Sequence, residues 1–368
     1  VKIVQNQYLL GPLLTLIVGR PLGCSRWKDA MLPPFVSTSA VTTIPPLGGV
    51  FVKRDPDARS YADVTVWRDY EARLPAVFQL SGESPEEEWY KWRDIAVHVD
   101  RLPARDAPLK LMLLHGMGGY GRIVLGFGTA YRPELCEVVA PDLPGYGLTR
   151  APVGRLIFSA WTSCVQDFIE AELRRDDRPI VLFGLSLGGM VAYHVACTAP
   201  VQGLMATAFV DMTDAEVAAG VSRFTRLSRL TLPLVKRAPR FLTGLRIPSR
   251  LLGKVHFISN DAELSRLVEK DPYGGGNSLP LSFLQSIMEI APALAPKQFE
   301  CCPVLLVHPG ADRMTDIAFS RRFFDRLAAP KRMVVLDGAG HWPIEEPGAT
   351  QMRESVKSFL EQVASDCS

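Results

Sequence analysis

From residue 95 onward the chain settles into a rhythm of short apolar runs and longer amphipathic stretches. IAVHVD (95–100) alternates its apolar positions, which predicts a half-buried strand. KLMLL (110–114), CEVVA (136–140), PIVLF (179–183), MATAFV (205–210), PVLLV (303–307) and MVVL (333–336) are runs of strand length with little or no polar alternation. Helical spacing fills the gaps. Ile157, Ala160, Trp161, Val165, Phe168, Ile169 and Leu173 share one face, and Met352, Val356, Phe359, Leu360 and Val363 share another. Further helices are predicted around 123–127, from 184 through Ala199, and over 317–327. A strand that alternates has one wet face, whereas a strand apolar throughout is covered on both. The pattern therefore predicts an α/β protein, a mostly parallel sheet with helices on both faces.

The rhythm breaks between 212 and 300, a segment rich in Arg, Leu and Pro with no buried parallel strand in view. This divides the chain into a core of 85–211 and 301–368, an insertion of 212–300 above the sheet, and an N-terminal extension of 1–84. Within the extension, Pro33-Pro34, Pro45-Pro46 and Gly48-Gly49 mark loop chemistry over 21–50. The apolar stretch from Tyr8 to Gly19 follows Lys2 and precedes Cys24, loosely like an export signal. It is too short to span a bilayer, and Pro12 interrupts it. The expectation is a segment lying on the domain surface of a cytoplasmic protein, with export or membrane anchoring as the alternative.

Composition narrows the class. Of 368 residues, 47% are apolar and 22% charged, with net charge +2, so a sizeable core is available and no nucleic-acid partner is implied. The seven cysteines are scattered, odd in number and include the adjacent Cys301-Cys302. That spacing suits neither a disulfide framework nor a zinc site, and points to free thiols, with no metal or cofactor expected.

In a parallel sheet, chemistry gathers beyond the carboxyl ends of the strands. After the 110–114 run comes HGMGGYG, in which Gly116, Gly118 and Gly121 satisfy G-x-G-x-x-G. That is one reading, a dinucleotide-binding oxidoreductase with Asp142 as the ribose acid. After 179–183 comes GLSLG, a G-x-S-x-G between a predicted strand and a predicted helix, and this context makes Ser186 a candidate nucleophile. A serine hydroxyl needs a base, and the base needs a carboxylate to hold its tautomer. Of His98, His115, His194, His256, His308 and His341, only His341 follows the last strand in a Gly-rich loop ahead of the final helix. Asp312 follows the 303–307 strand and Asp211 the 205–210 strand, with Asp312 preferred and Asp211 the runner-up. Asp142 and Asp337 read as loop-structuring carboxylates.

Taken together, LLHGMGG, PDLPGYGLT, GLSLGGM, HPGADR and GAGHWPIEEP resemble the α/β-hydrolase superfamily over about Trp89 to Val363. Within it, the chain looks closest to the carboxylesterase, monoacylglycerol lipase and lysophospholipase-like group. The resemblance implies an eight-stranded, mostly parallel sheet with a cap inserted after the sixth strand. It also implies that the backbone N–H groups of Met117 and Leu187 form an oxyanion hole. The function expected is cleavage of a small-molecule carboxylic ester, with a hydrophobic or lipid-like acyl or aromatic substrate, through Ser186, His341 and Asp312 and an acyl-enzyme. Thioester, lactone or carbon–carbon bond hydrolysis on the same triad, or a non-catalytic binding homologue, are the alternatives.

The insertion bears on substrate. From 223 to 254 it carries nine Lys or Arg and no acid, interleaved with Leu227, Leu230, Leu232, Leu234, Val235, Phe241 and Leu242. One reading is a solvated basic face. Others are peripheral contact with an anionic lipid surface, or an Arg that reads an anionic substrate. Phe283 and Ile287, in PLSFLQSIMEIAP (280–292), are expected to line an apolar pocket, with His115, Gly116 and Trp342 as further substrate contacts. YGGGN (273–277) reads as a hinge beside it. The oligomeric state has no signature in the sequence.

Overall fold

The computed structural model describes residues 49–52, 59–80 and 82–368. The apolar stretch from Tyr8 to Gly19, Cys24 and nearly all of the 21–50 loop chemistry lie outside the described residues.

Strand β1 (Val50–Val52) precedes a short helix α1 (Val66–Glu71) and the hairpin β2 (Glu86–Trp92) and β3 (Ile95–Leu102). The α/β rhythm follows: β4 (Leu109–Leu114), α2 (Gly121–Val124), β5 (Cys136–Pro141), α3 (Phe158–Arg175), β6 (Ile180–Gly184), α4 (Leu187–Ala196) and β7 (Gly203–Ala206). The insertion contributes α5 (Ala215–Val221), α6 (Thr225–Lys236), β8 (Arg246–Pro248), α7 (Ser249–Leu252), α8 (Ala262–Lys270), β9 (Ser278–Pro280) and α9 (Leu281–Glu289). The core resumes with β10 (Val304–Pro309), α10 (Ile317–Phe324), β11 (Lys331–Leu336) and α11 (Gly348–Cys367). The main sheet runs β1-β2-β3-β5-β4-β6-β7-β10-β11. It is parallel from β5 to β11 and antiparallel from β1 through β3 to β5. This is the α/β-hydrolase arrangement, with nine strands among the described residues where eight were expected. The additional strand is β1, from the stretch assigned to the extension.

Every residue of β4, β5, β6, β7 and β10 is buried, as expected of strands covered on both faces. Strand β3 departs from expectation, because only Ala96 along it is exposed. Its polar residues are paired inside. Arg122 makes two hydrogen bonds to Asp100, at 2.8 and 2.7 Å, and His98 Nε2 lies 2.9 Å from Glu87. Arg101 bonds Glu88, Glu137 and Glu172. Buried charges are tolerated only when paired in this way.

Tyr61 packs edge-on against His98 of β3, with ring centroids 5.0 Å apart, and Tyr61, Tyr70 and Phe78 of the 59–80 segment join the main core. The Tyr61 hydroxyl donates to Asp142 at 2.8 Å, and the Tyr70 hydroxyl donates to Asp271 in the insertion at 2.9 Å. So part of the predicted extension is core. The insertion carries its own two-stranded antiparallel sheet, β8 with β9. The YGGGN segment is fastened rather than a free hinge. The N–H groups of Gly274 and Gly276 donate to Asp271 O, at 3.1 and 2.8 Å, and a Cβ on Gly274 would sit 2.5 Å from Gly118 O. These glycines let the insertion press against the 116–119 loop.

Cys136, Cys164, Cys197, Cys301 and Cys302 are free thiols, but Cys367 is disulfide-bonded, so the expectation of free thiols fails at the C-terminus. Among the described residues, no helix is long and apolar enough to cross a membrane.

Candidate active site

The turn from β6 into α4 places Ser186 at φ 54°, ψ −124°, a region that side chains with a Cβ rarely enter. Such a conformation costs on the order of 1–3 kcal/mol and persists only where its surroundings enforce it. Here the Ser186 N–H donates to Thr207 Oγ1 at 2.9 Å, and the Leu185 N–H donates to Leu114 O at 2.9 Å. Two glycines make the turn sterically feasible. A Cβ on Gly184 would lie 2.2 Å from Gly188 O, and one on Gly188 would lie 2.2 Å from Leu114 O. The G-x-S-x-G spacing is thus what strand and helix need to pass each other while the serine hydroxyl points out.

His341 Nε2 lies 2.8 Å from Ser186 Oγ, and His341 Nδ1 lies 2.7 Å from Asp312 Oδ2. With the ring proton on Nδ1 shared with Asp312, Nε2 is free to accept from the serine. The other Asp312 oxygen accepts the N–H groups of Met314 and Thr315, at 2.7 and 2.8 Å. Burial pushes the Asp312 carboxyl up, but the facing His341 and these two N–H groups outweigh it and hold the carboxyl below the ordinary aspartate range. Asp312 is therefore kept charged. Residues from three separate loops meet because each loop follows a strand in the parallel part of the sheet.

The His341 loop has a support that sequence reasoning missed. Glu345 accepts the Gly340 N–H at 2.9 Å, and also the Ser259 hydroxyl and the Asn260 N–H, both at 2.9 Å. The Trp342 N–H donates to Ile258 O at 2.7 Å. The insertion is thus bolted to the histidine loop. Glu345 stands inside GAGHWPIEEP, so the motif held it without revealing its role. Thr207, which fixes the Ser186 backbone, had no sequence signal.

The runner-up acid Asp211 is 3.6 Å from Arg326 and accepts from Thr213, whereas the two ring nitrogens of His341 are engaged by Asp312 and Ser186. Asp142 is a loop organiser, as expected, accepting from Gly121 N–H, Leu148 N–H and Tyr61. Asp337 accepts from Gln351 at 2.9 Å. Gly121 also disposes of the dinucleotide pattern. Its N–H is committed to Asp142 at 2.6 Å, a Cβ there would meet Ala140 O at 2.3 Å, and the helix it opens is four residues long. Little helix N-terminus is left to face a pyrophosphate. Glu87, His98 and Asp100 have the proximity of metal ligands, but the Arg122 guanidinium already occupies Asp100.

Two substrate-contact expectations need correction. His115 is fully buried and turned into the fold. Its Nε2 accepts the Leu143 N–H at 2.9 Å, its Nδ1 lies 2.8 Å from Gly116 O, and burial pulls its pKa down to about 4. Phe283 is also fully buried and packs on Trp161, with ring centroids 4.9 Å apart. Ile287, one turn further along α9, does reach a cavity, as do Gly116 and Trp342.

Two cavities meet at Ser186. The larger, about 400 Å³, is lined by Met117, Leu187, Leu232, Val235, Leu284 and Ile287 among others, and is mostly apolar. The smaller, about 50 Å³, lies between Gly116, Ile123, Val124, Val268, His341 and Trp342. Gly116 keeps the wall thin, since a Cβ there would come within 2.9 Å of Ser186 Cβ and 3.1 Å of Leu187 N. Met117 borders both cavities, and neither its N–H nor that of Leu187 donates to a described backbone carbonyl. Two unspent N–H groups beside a serine–histidine–aspartate chain can stabilise a negatively charged oxygen.

Residues 111–350 match the model of the alpha/beta hydrolase family. Lipase LipV of Mycobacterium tuberculosis is 34% identical over 110 residues, 29% of this chain and 39% of that protein. A pimeloyl-[acyl-carrier protein] methyl ester esterase of Xanthomonas axonopodis pv. citri is 27% identical over 171 residues, 46% of this chain and 51% of that protein. The chain thus spans about half or less of the length of these curated relatives. Among solved structures, a monoglyceride lipase from Saccharomyces cerevisiae bound to a substrate analog superposes with a TM-score of 0.64 at 16% identity. That likeness covers 79% of this chain and 98% of that one, and is a likeness of fold.

Proposed function

The chain belongs to the alpha/beta hydrolase family, and from there we propose that it is a serine hydrolase of carboxylic esters joining a sizeable apolar acyl group to a small alcohol. The observation that carries the reading is the hydrogen-bonded chain Ser186–His341–Asp312, at 2.8 and 2.7 Å. Ser186 Oγ attacks the ester carbonyl while His341 Nε2 takes its proton, and the carbonyl oxygen becomes an oxyanion facing the N–H groups of Met117 and Leu187. Asp312 holds the imidazole's orientation and stabilises the imidazolium. Collapse of the tetrahedral adduct breaks the bond to the alcohol, which leaves with the proton from His341. Water, deprotonated by the same nitrogen, then attacks the acyl-enzyme, and breaking the Ser186 ester returns the serine and releases the acid. Each N–H donor of this kind contributes about 2.7–4 kcal/mol to the transition state.

The two cavities support the substrate class. The large apolar one suits an acyl chain, and the small one beside His341 and Trp342 suits a methyl-sized alcohol at the face where the leaving group must receive its proton. Both relatives named above carry ester-cleaving names, one of them a methyl ester esterase. The test is a panel of methyl esters from butanoate to dodecanoate, with octanoate also offered as isopropyl and benzyl esters. We expect kcat/KM to rise with acyl length and to fall about tenfold or more from methyl to benzyl, in line with a pocket too small for the ring. Equal turnover of methyl and benzyl esters would refute the substrate class. No hydrolysis of any ester above that of the Ser186→Ala protein would refute the reaction.

A further inference from the structure

Twelve large hydrophobic side chains are exposed among the described residues, and eight of them fall between 224 and 251. Helix α6 is apolar on two sides. Leu232 and Val235 are half-buried and line the large cavity, Leu230 and Leu234, four residues apart, face out, and Leu227 lies at the edge between the two sides. Leu230 and Leu234 are 73% and 69% exposed, and Phe241 just beyond is 83% exposed. Monomeric soluble proteins seldom expose large apolar residues so densely without a use for them.

The same segment is basic. Arg226, Lys236, Arg237 and Arg240 are exposed and have no ion-pair partner among the described residues. From 223 to 254 there is no acidic residue at all. A second copy placed face to face would set this acid-free basic patch against another basic patch, because a two-fold interface brings the same surface of both subunits together. An anionic, apolar-cored surface complements both properties at once. Basic residues draw a protein to anionic lipid, and apolar side chains then enter the headgroup region.

The patch is also continuous with the site. Phe224, Leu227 and Leu251 are each about half exposed and each line the large cavity that reaches Ser186. The apolar surface and the apolar interior therefore share one rim.

We propose that this face of the insertion, α6 with the 237–251 segment, docks on anionic lipid membranes, with the rim of Phe224, Leu227 and Leu251 as the port through which an apolar substrate passes from lipid to Ser186. Docking stands on the patch alone, whereas delivery rests on the ester-hydrolase reading above.

The test uses the full chain carrying Ser186→Ala, so that binding is read without turnover and a failure of docking is separate from a failure of the hydrolase reading. Its bound fraction is measured by co-sedimentation with vesicles of phosphatidylcholine alone and with vesicles of equal parts phosphatidylcholine and phosphatidylglycerol. We expect binding to the mixed vesicles, weak binding to phosphatidylcholine, and loss of the difference in 1 M salt, where screening reaches only about 3 Å. Leu230→Asp/Leu234→Asp/Phe241→Asp should lower the partition coefficient about tenfold or more. Arg226→Gln/Arg237→Gln/Arg240→Gln should abolish the preference for anionic vesicles. None of these side chains lines the cavity, so each triple variant with Ser186 restored should turn over a water-soluble short ester at the wild-type rate, which reports on folding. Absence of binding to either vesicle, or unchanged binding by the Asp variant, overturns the proposal. So does a chain that is dimeric in sedimentation equilibrium and becomes monomeric in the Asp variant, because a second copy would then be the occupant.

Discussion

The sheet and the insertion use apolar residues in opposite ways. In β4, β6 and β10 no side chain is exposed, and the 116–119 loop, Ser186 and Asp312 follow directly from these strands, while His341 follows the edge strand β11. In the insertion, α6 keeps one apolar stripe for the cavity and offers another to the outside. The core thus spends burial on geometry, since a histidine must stay within hydrogen-bond reach of one serine. The insertion uses its apolar surface for contact, which tolerates looser placement. The contrast predicts that perturbing the core changes the rate for every ester alike, and perturbing the insertion changes which ester, or which surface, is engaged.

The largest effect should come from Asp312→Asn. The substitution keeps the shape but turns a hydrogen-bond donor toward His341 Nδ1, which disfavours the tautomer able to accept from Ser186. We expect kcat to fall roughly 10⁴-fold on all esters with the fold intact by circular dichroism. A variant within tenfold of wild type, or one whose loss varies strongly with acyl length, would break the division of labour between core and insertion.

A smaller effect should separate the regions by stability. The core holds an ionic layer beneath 59–80, in which Asp100, Asp142 and Glu87 surround His98. Burial pulls the His98 pKa down, but these carboxylates prevail and raise it to about 10. A group with a raised folded pKa adds stability that is complete below its unfolded value of about 6.5 and is lost as pH climbs through the folded one. The melting temperature should therefore fall between pH 7 and pH 10.5, and the fall should be shallower in His98→Gln. Parallel pH profiles for the two proteins would show that His98 contributes no such stability.

The same contrast explains what could be read from the sequence. Strands covered on both faces announce themselves as unbroken apolar runs, so most of the sheet and the places of Ser186, Asp312 and His341 after its strands were legible, but MVVL misled, because β11 is an edge strand in which only Leu336 is buried. The 59–80 segment was not, because its anchors obey no period. Tyr61 and Tyr70 are fixed by Asp142 and Asp271, which are 81 and 201 residues away. Strand β1 is only three residues long and carried no pattern. His115 and Phe283 were expected to contact substrate, but both are fully buried and line neither cavity at Ser186. Chain position says which loop or helix a residue occupies, and packing decides the direction of its side chain. The mixture of Leu with Lys and Arg along α6 was legible, but which Leu is exposed and which faces the cavity was not, because that depends on the packing of the neighbouring helix α9.

The central claim is that Ser186 is the nucleophile, and the most direct measurement is mass spectrometry of the chain after treatment with a fluorophosphonate. Attack by the activated hydroxyl displaces fluoride and leaves a phosphonyl ester on that oxygen. The account predicts one adduct per chain, located on the peptide containing Ser186, and no adduct in Ser186→Ala. An adduct on another residue of the wild-type chain, or labelling that persists in Ser186→Ala, would contradict it.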